Sequence, residues 1–70
     1  MDNNSVYKVI EIIGASPKSW ADAAETAINR ASQSLSDIRV AEIVEQDLQI
    51  EEGKITSYRV KLKVSFKFKG

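Results

Sequence analysis

The last sixteen residues of the chain, from Ile55 to Gly70, contain a long and regular alternation of apolar and polar side chains. Because successive side chains of a β-strand point to opposite faces, this pattern predicts one long strand with an apolar face and a basic face. The apolar positions are Tyr58, Val60, Leu62, Val64, Phe66 and Phe68, and the polar positions are Arg59, Lys61, Lys63, Ser65 and Lys67. In a chain of 70 residues one helix can cover the apolar face, and the basic face is left for another use.

The first part of the chain predicts another strand and the start of that helix. The segment Val6–Ile13 is rich in β-branched residues and precedes a glycine, which is typical of a strand. Two capping arrangements can start the helix that follows. Either Ser16 caps a helix with Pro17 at its first position, or Ser19 caps one with Asp22 three residues later.

The predicted helix continues to Ser34 or Leu35 with an amphipathic pattern. Its apolar stripe consists of Trp20, Ala23, Ala24, Ala27, Ile28, Ala31 and Leu35. Most of these residues are alanines, which allow a sheet to approach the helix closely. Trp20 is the only tryptophan, and its place on the stripe favours packing in a core or an interface over a role as a stacking surface for an aromatic ligand.

The segment Ile38–Ile50 is predicted to be the second strand. Its apolar residues change from odd to even positions, which indicates a bulge or bend near Glu45–Asp47. Glu51–Lys54 is predicted to be a hairpin turn, with Gly53 in the positive-φ position. The third strand follows directly.

The order of elements predicts an α+β fold, β-α-β-β, in a single domain covering residues 1–70. The most regular strand, the third, is placed in the centre, which gives an antiparallel three-stranded sheet of order 1-3-2. The helix is predicted to lie on one face, against the third strand and against Ala41 and Ile43 of the second.

A two-residue turn at Glu52-Gly53 predicts which residues share the face away from the helix. The predicted cross-strand pairs are Glu51 with Lys54, Gln46 with Arg59, Val44 with Lys61, Glu42 with Lys63, and Val40 with Ser65. This outer face mixes aliphatic, charged and amide side chains. Such a mixture is typical of a subunit interface, whereas a solvated face is usually more uniformly polar.

Length and composition restrict how such a domain is stabilised. Chains of this size bury a small share of their surface and often depend on disulfides, metals or oligomerisation. The sequence contains neither cysteine nor histidine, which excludes disulfides and the usual zinc sites. We therefore expect the chain to form a homo-oligomer.

The same composition limits the classes of function. Ten basic and ten acidic residues cancel, which argues against nucleic acid as a partner, and no apolar run is long enough to span a membrane. The N-terminal residues lack a signal-peptide pattern, so a cytoplasmic location is expected. Without histidine or cysteine most catalytic arrangements are missing, and no enzyme activity is predicted. The carboxylates of residues 42–52 do not fit a calcium-binding helix-loop-helix pattern, so no metal site is predicted.

Three segments, residues 6–17, 27–35 and 58–66, resemble the dodecins over nearly the whole chain. This resemblance implies a hollow dodecamer that stores or buffers flavin, either FMN or riboflavin, in pairs at subunit interfaces. It implies that Val40, Gln46 and Arg59 line the flavin pocket. Flavin-binding members typically carry a tryptophan at the position of Val40 and a glutamine at that of Arg59. The alternative is a dodecin-like shell without flavin, either structural or holding another ligand such as an anionic nucleotide.

Overall fold

The computed structural model describes residues 4–68 and contains four elements in the predicted order. They are β1 (Tyr7–Ser16), α1 (Trp20–Ala31), β2 (Ile38–Glu51) and β3 (Lys54–Lys67). The strands form one antiparallel sheet of order β1-β3-β2. The predicted fold class and strand order are therefore confirmed, and the end of the predicted third strand, residues 69–70, lies outside the described residues.

The start of α1 depends on two serines with different roles. Ser19 is the N-cap, and its hydroxyl accepts a hydrogen bond from the backbone N–H of Asp22 at 3.0 Å. Ser16 is not the cap, because β1 continues through Gly14 to include it. Its buried hydroxyl instead donates to Asp22 Oδ2 at 2.6 Å and accepts from the N–H of Lys18 at 2.9 Å. The turn between β1 and α1 is therefore stabilised by the side chain of Ser16 at the end of the strand and by that of Ser19 at the start of the helix.

The helix ends at Ala31, which is earlier than the predicted Ser34 or Leu35. The backbone N–H of Gln33 bonds to the carbonyl of Arg30, and that of Ser34 bonds to Ala31, so the chain continues as tighter turns. The sequence Ser-Gln-Ser explains the early end, since serine competes with helical hydrogen bonds more strongly than alanine does.

The core lies where α1 crosses β3 and β1. Five apolar residues are buried there: Ala23, Ala27, Val60, Leu62 and Val64. Gly14 of β1 lies directly beneath the helix, where an added Cβ would collide with the carbonyl oxygen of Ala23 and would lie 2.9 Å from the Cβ of Ala27. The predicted close approach of the alanine stripe to the sheet thus depends on a glycine in the facing strand.

Strand β2 extends beyond the cover of the helix. The prediction that α1 packs against Ala41 and Ile43 is wrong, because both residues are exposed, Ile43 by 49%. One 12-residue helix is narrower than three strands, and α1 lies over β1 and β3. Within residues 4–68, Ile38 at the start of β2 packs against the core, whereas the helix-side residues of β2 from Ala41 onwards are exposed.

Two bulges determine the register between β2 and β3. The pairs Glu51 with Lys54, Glu42 with Lys63 and Val40 with Ser65 are as predicted. Between them the register is shifted by one residue, because β3 has an extra residue at position 56 and β2 has one at position 44. A further irregularity lies between residues 38 and 40. The bulge inferred near Glu45–Asp47 therefore exists, and it starts one residue earlier.

The shift corrects two of the predicted pairs. Lys61 lies opposite Glu45, where Val44 was predicted. Arg59 lies opposite Asp47, where Gln46 was predicted. The hairpin turn is as predicted, with Gly53 at φ 78°, and Glu52 also has a positive φ of 52°.

Candidate functional site on the outer face of the sheet

The outer face of the sheet, defined as the side opposite α1, consists of four cross-strand rows. Each row contains one residue from each strand, in the order β1, β3, β2. The rows are Val9–Ser65–Val40, Glu11–Lys63–Glu42, Ile13–Lys61–Glu45 and Ala15–Arg59–Asp47. The mixture of aliphatic and charged side chains predicted from the sequence is therefore present, and it runs from an apolar end to a charged end.

The charged end is dominated by the pair Arg59–Asp47. Arg59 Nε donates to Asp47 Oδ1 at 2.8 Å, and Nη2 donates to Oδ2 at 3.0 Å. This two-point geometry matches the planar guanidinium to the carboxylate and is the strongest arrangement open to an exposed ion pair. In the next row Lys61 Nζ lies 3.3 Å from Glu45 Oε1. The cations at this end are therefore neutralised by carboxylates of the same chain.

The ion pair changes the protonation behaviour of both partners. The hydrogen bond from Arg59 lowers the pKa of Asp47 below its usual value, and the charges of Arg59 and Lys61 act in the same direction. The same hydrogen bond raises the pKa of Arg59. Because the pKa of Asp47 is lower in the folded chain than in the unfolded chain, the ion pair stabilises the fold at pH values above the usual pKa of an aspartate. That contribution is lost as the pH falls through the lowered folded value.

We expect the ionisation midpoint of Asp47 to rise when Arg59→Gln removes the ion pair. An amide keeps some hydrogen-bonding capacity but no charge, so the pKa of Asp47 should return towards its usual value. The measurement is a pH titration of the aspartate carboxyl carbons by NMR. Lys61→Gln is the matched control and should move the midpoint less, since Lys61 is the weaker cause. An unchanged midpoint in Arg59→Gln would contradict the assignment.

The predicted pocket residues do not meet within one chain. Val40 and Arg59 share the outer face, but Val40 pairs with Ser65, and Ser65 is six residue steps along β3 from Arg59. At the rise of a strand this is roughly 20 Å. Gln46 pairs with the buried Val60, which places it on the helix-side face. Any pocket that includes Val40 and Arg59 must therefore be completed by another copy.

Asp47 is the residue that the sequence interpretation missed as the partner of Arg59. The parity change in β2 was the available signal. An extra residue before Glu45 moves Asp47 opposite Arg59 and turns Gln46 to the other face.

Trp20 contributes to the same region from the other side of the sheet. Its indole Nε1–H donates to the backbone carbonyl of Asp47 at 3.0 Å. Its ring packs edge-on against Tyr58, with the ring centroids 5.4 Å apart. These contacts confirm a packing role for Trp20, and they fix the backbone of Asp47 while Arg59 holds its side chain.

The described part of the chain contains neither a cluster of metal-binding side chains nor a membrane-spanning helix. No three carboxylates within residues 4–68 lie close enough together to hold a metal ion. On the outer face Glu11 and Glu42 flank Lys63, with no ion pair within 4.0 Å between Glu42 and Lys63. No helix among the described residues is long and apolar enough to cross a membrane.

Comparison with known proteins places this architecture in a family. The family model described as Dodecin matches residues 6–69. The chain belongs to the dodecin family. It is 59% identical over 66 residues to calcium dodecin of Mycobacterium tuberculosis, which covers 93% of this chain and 92% of that protein.

Solved dodecins have the same fold. Dodecin from Streptomyces coelicolor aligns with a TM-score of 0.92 at 33% identity, covering 99% of each chain. A crystal structure of M. tuberculosis calcium dodecin, described as a calcium-chelating antigen with a novel calcium-binding site, aligns with a TM-score of 0.83 at 57% identity, covering 93% of each chain. The predicted family is therefore confirmed, while among these relatives a ligand is named only for calcium dodecin.

Proposed function

We propose that this dodecin is a non-catalytic storage protein that assembles into a hollow homo-dodecamer and binds a divalent cation of the calcium type. The observation that carries the proposal is the 59% identity, over nearly the whole chain, to a protein named calcium dodecin. The groups on the outer face support a ligand other than a stacked flavin. A cytoplasmic location remains a prediction from the sequence.

The need for assembly follows from how little of the chain is buried. Among residues 4–68 the buried core contains five apolar residues, three of them larger than alanine. Large apolar side chains remain exposed on both faces of the sheet, including Val9 at 55%, Val40 at 60% and Ile50 at 59%. Exposed apolar surface of this extent is typical of a subunit that is buried by its neighbours.

The outer face lacks the groups that the family uses to hold flavin. At position 40 a valine replaces the stacking indole, and it offers no aromatic plane. At position 59 an arginine replaces the amide, and its guanidinium already donates two hydrogen bonds to the carboxylate of Asp47. An anionic group approaching Arg59 would have to compete with a carboxylate that is already in place.

A cation also does not fit one chain alone. Calcium takes six to eight oxygen ligands, and no three carboxylates converge within residues 4–68. The proposed site therefore takes oxygen atoms from more than one copy. Binding should consequently require the assembled protein.

Titration calorimetry of the purified assembly tests the proposal. We expect calcium to bind after chelator treatment and dialysis, and magnesium to bind more weakly, because magnesium requires a stricter octahedral geometry. The control is the same protein dissociated below its assembly concentration, which should bind no calcium. Equal binding by dissociated chains would contradict a site shared between copies, and no binding to the intact assembly would contradict the cation itself.

Flavin storage is the second candidate, and the apolar end of the outer face favours it. Val9 and Val40 flank Ser65 in one row and are more than half exposed, which leaves an apolar strip across the sheet. Such a strip could seat the ring of FMN or riboflavin between two copies. Quenching of flavin fluorescence at micromolar protein would support this candidate, and failure of both flavins to be quenched would exclude it.

A further inference from the structure

The β2–β3 hairpin forms an arm that extends beyond the helix. The hairpin arm, residues 48–57, begins where Trp20 contacts Asp47 and Tyr58, and it ends at the turn of Glu52 and Gly53. The molecule is elongated, with extents of 58 × 21 × 16 Å. Nothing in the described part of the chain covers the arm on its helix side.

The helix-side face of the arm is apolar. Leu48 pairs with Tyr58, and the alternation from there places Ile50 and its cross-strand partner Ile55 on the same side. These residues are exposed by 37% at Leu48, 59% at Ile50 and 50% at Ile55. Two facing isoleucines near the end of a two-stranded ribbon are costly to leave in water, because burying apolar side chains of this size against a partner surface is favourable.

A groove of complementary character lies in the other half of the molecule. It runs between α1 and β1 and has a volume of about 520 Å³. Its floor and walls are mostly apolar, including Ile10, Ile12, Ala31 and Leu35, and Arg30 is its charged residue. Arg30 has no ion-pair partner within residues 4–68.

The charges of the two surfaces are also complementary. The end of the arm has Glu51 and Glu52 against one cation, Lys54, so it is acidic overall. The groove presents Arg30 beside its apolar floor. An arm that places Ile50 and Ile55 in the groove would bring the acidic turn at its end close to Arg30. The attraction between these opposite charges favours an orientation with the turn directed towards Arg30 over one with the turn directed away from it.

We infer that the hairpin arm of one copy docks in the α1–β1 groove of the next. The inference rests on the proposed assembly and specifies one of its contacts. The arm of one chain cannot reach the groove of the same chain, because Ile50 lies at the far end of β2 and Leu35 lies just before its start, roughly 40 Å away by strand rise. A contact between two different surfaces is head-to-tail, and it gives a finite assembly only when the copies close into a ring.

Site-directed crosslinking tests the contact. The chain has no natural cysteine, so the double variant Ile50→Cys with Leu35→Cys carries thiols only at the arm and the groove. A short bismaleimide should link the arm of one copy to the groove of another. Denaturing electrophoresis should then separate covalent dimers and higher multiples. The matched control is Ile50→Cys with Asn29→Cys, whose second thiol lies on the exposed side of α1 outside the groove.

Native mass determination of the same samples separates the possible results. Efficient linkage in the groove variant, at least tenfold above the control, supports the contact. An intact oligomer with no more linkage than the control overturns it, whether the groove then holds a small molecule or a different surface, and leaves the proposed storage function standing. A monomer for the unsubstituted chain would overturn the proposed function as well.

Discussion

Replacing Gly14 with alanine is expected to lower the free energy of unfolding by about 3 kcal/mol, at the upper end of the range for overpacked cores. The new methyl group would collide with the backbone carbonyl of Ala23 and would lie 2.9 Å from the Cβ of Ala27. A backbone atom in a helix cannot move aside as the end of a side chain can. The helix must therefore shift away from the sheet, which opens the small core around Val60 and Leu62.

Urea unfolding at a fixed protein concentration measures this change, since stability and assembly are coupled. Gly53→Ala is the comparison, because Gly53 has a φ of 78° but no atom within 4 Å of an added Cβ. That variant should lose about 1 kcal/mol from backbone strain alone. Equal losses at the two positions would mean that the close contact beneath the helix does not contribute.

The second large effect is a gain of flavin binding in the double variant Val40→Trp with Arg59→Gln. These changes install the stacking ring and the amide of flavin-binding dodecins on the outer face. Ring stacking is worth about 1 kcal/mol per contact, and Arg59→Gln supplies an uncharged amide in place of the guanidinium that Asp47 holds. We expect at least a tenfold increase in affinity for riboflavin, which corresponds to about 1.4 kcal/mol.

Quenching of riboflavin and FMN fluorescence measures the gain. Val40→Leu with Arg59→Gln is the matched control, since leucine adds apolar volume without an aromatic plane. An affinity that rises equally in the control would assign the effect to apolar volume or to the loss of Arg59. No rise in either variant would mean that residues 40 and 59 are not what separates this chain from the flavin-binding members.

Much of the fold could be predicted because short sequence patterns indicate individual strands and helix ends. The alternation from Tyr58 to Phe68 can be satisfied only by a strand with two different faces, and β3 has that form. The pair Ser19 and Asp22 marks a helix start by a local hydrogen bond that needs no tertiary context. Both signals lie within one continuous segment of the chain, and a sequence pattern describes such segments well.

The register of the outer face could be predicted only in part, because it depends on where two bulges lie. A parity change in β2 indicates that a bulge exists, but its position shifts every pair between it and the next irregularity. One residue of error exchanged Gln46 for Asp47 opposite Arg59. This error changes the chemistry of the site, because the neighbour of Arg59 is the carboxylate of Asp47, which forms an ion pair with it, and not the amide of Gln46.

The extent of the helix cover could not be inferred from the pattern of β2. Ala41 and Ile43 have the composition of buried residues, but one helix is too narrow to reach them. Residues that another copy must bury have the same apolar character as core residues. A single chain therefore does not distinguish its interior from its interfaces by composition.

Native mass spectrometry of the purified protein, incubated with calcium and FMN together, tests the central claim most directly. The proposal predicts a dodecamer that carries calcium, loses that mass after treatment with a chelator, and carries no FMN. A dodecamer that carries FMN and no calcium would contradict the proposed ligand, and a monomer would contradict the assembly on which the whole account depends.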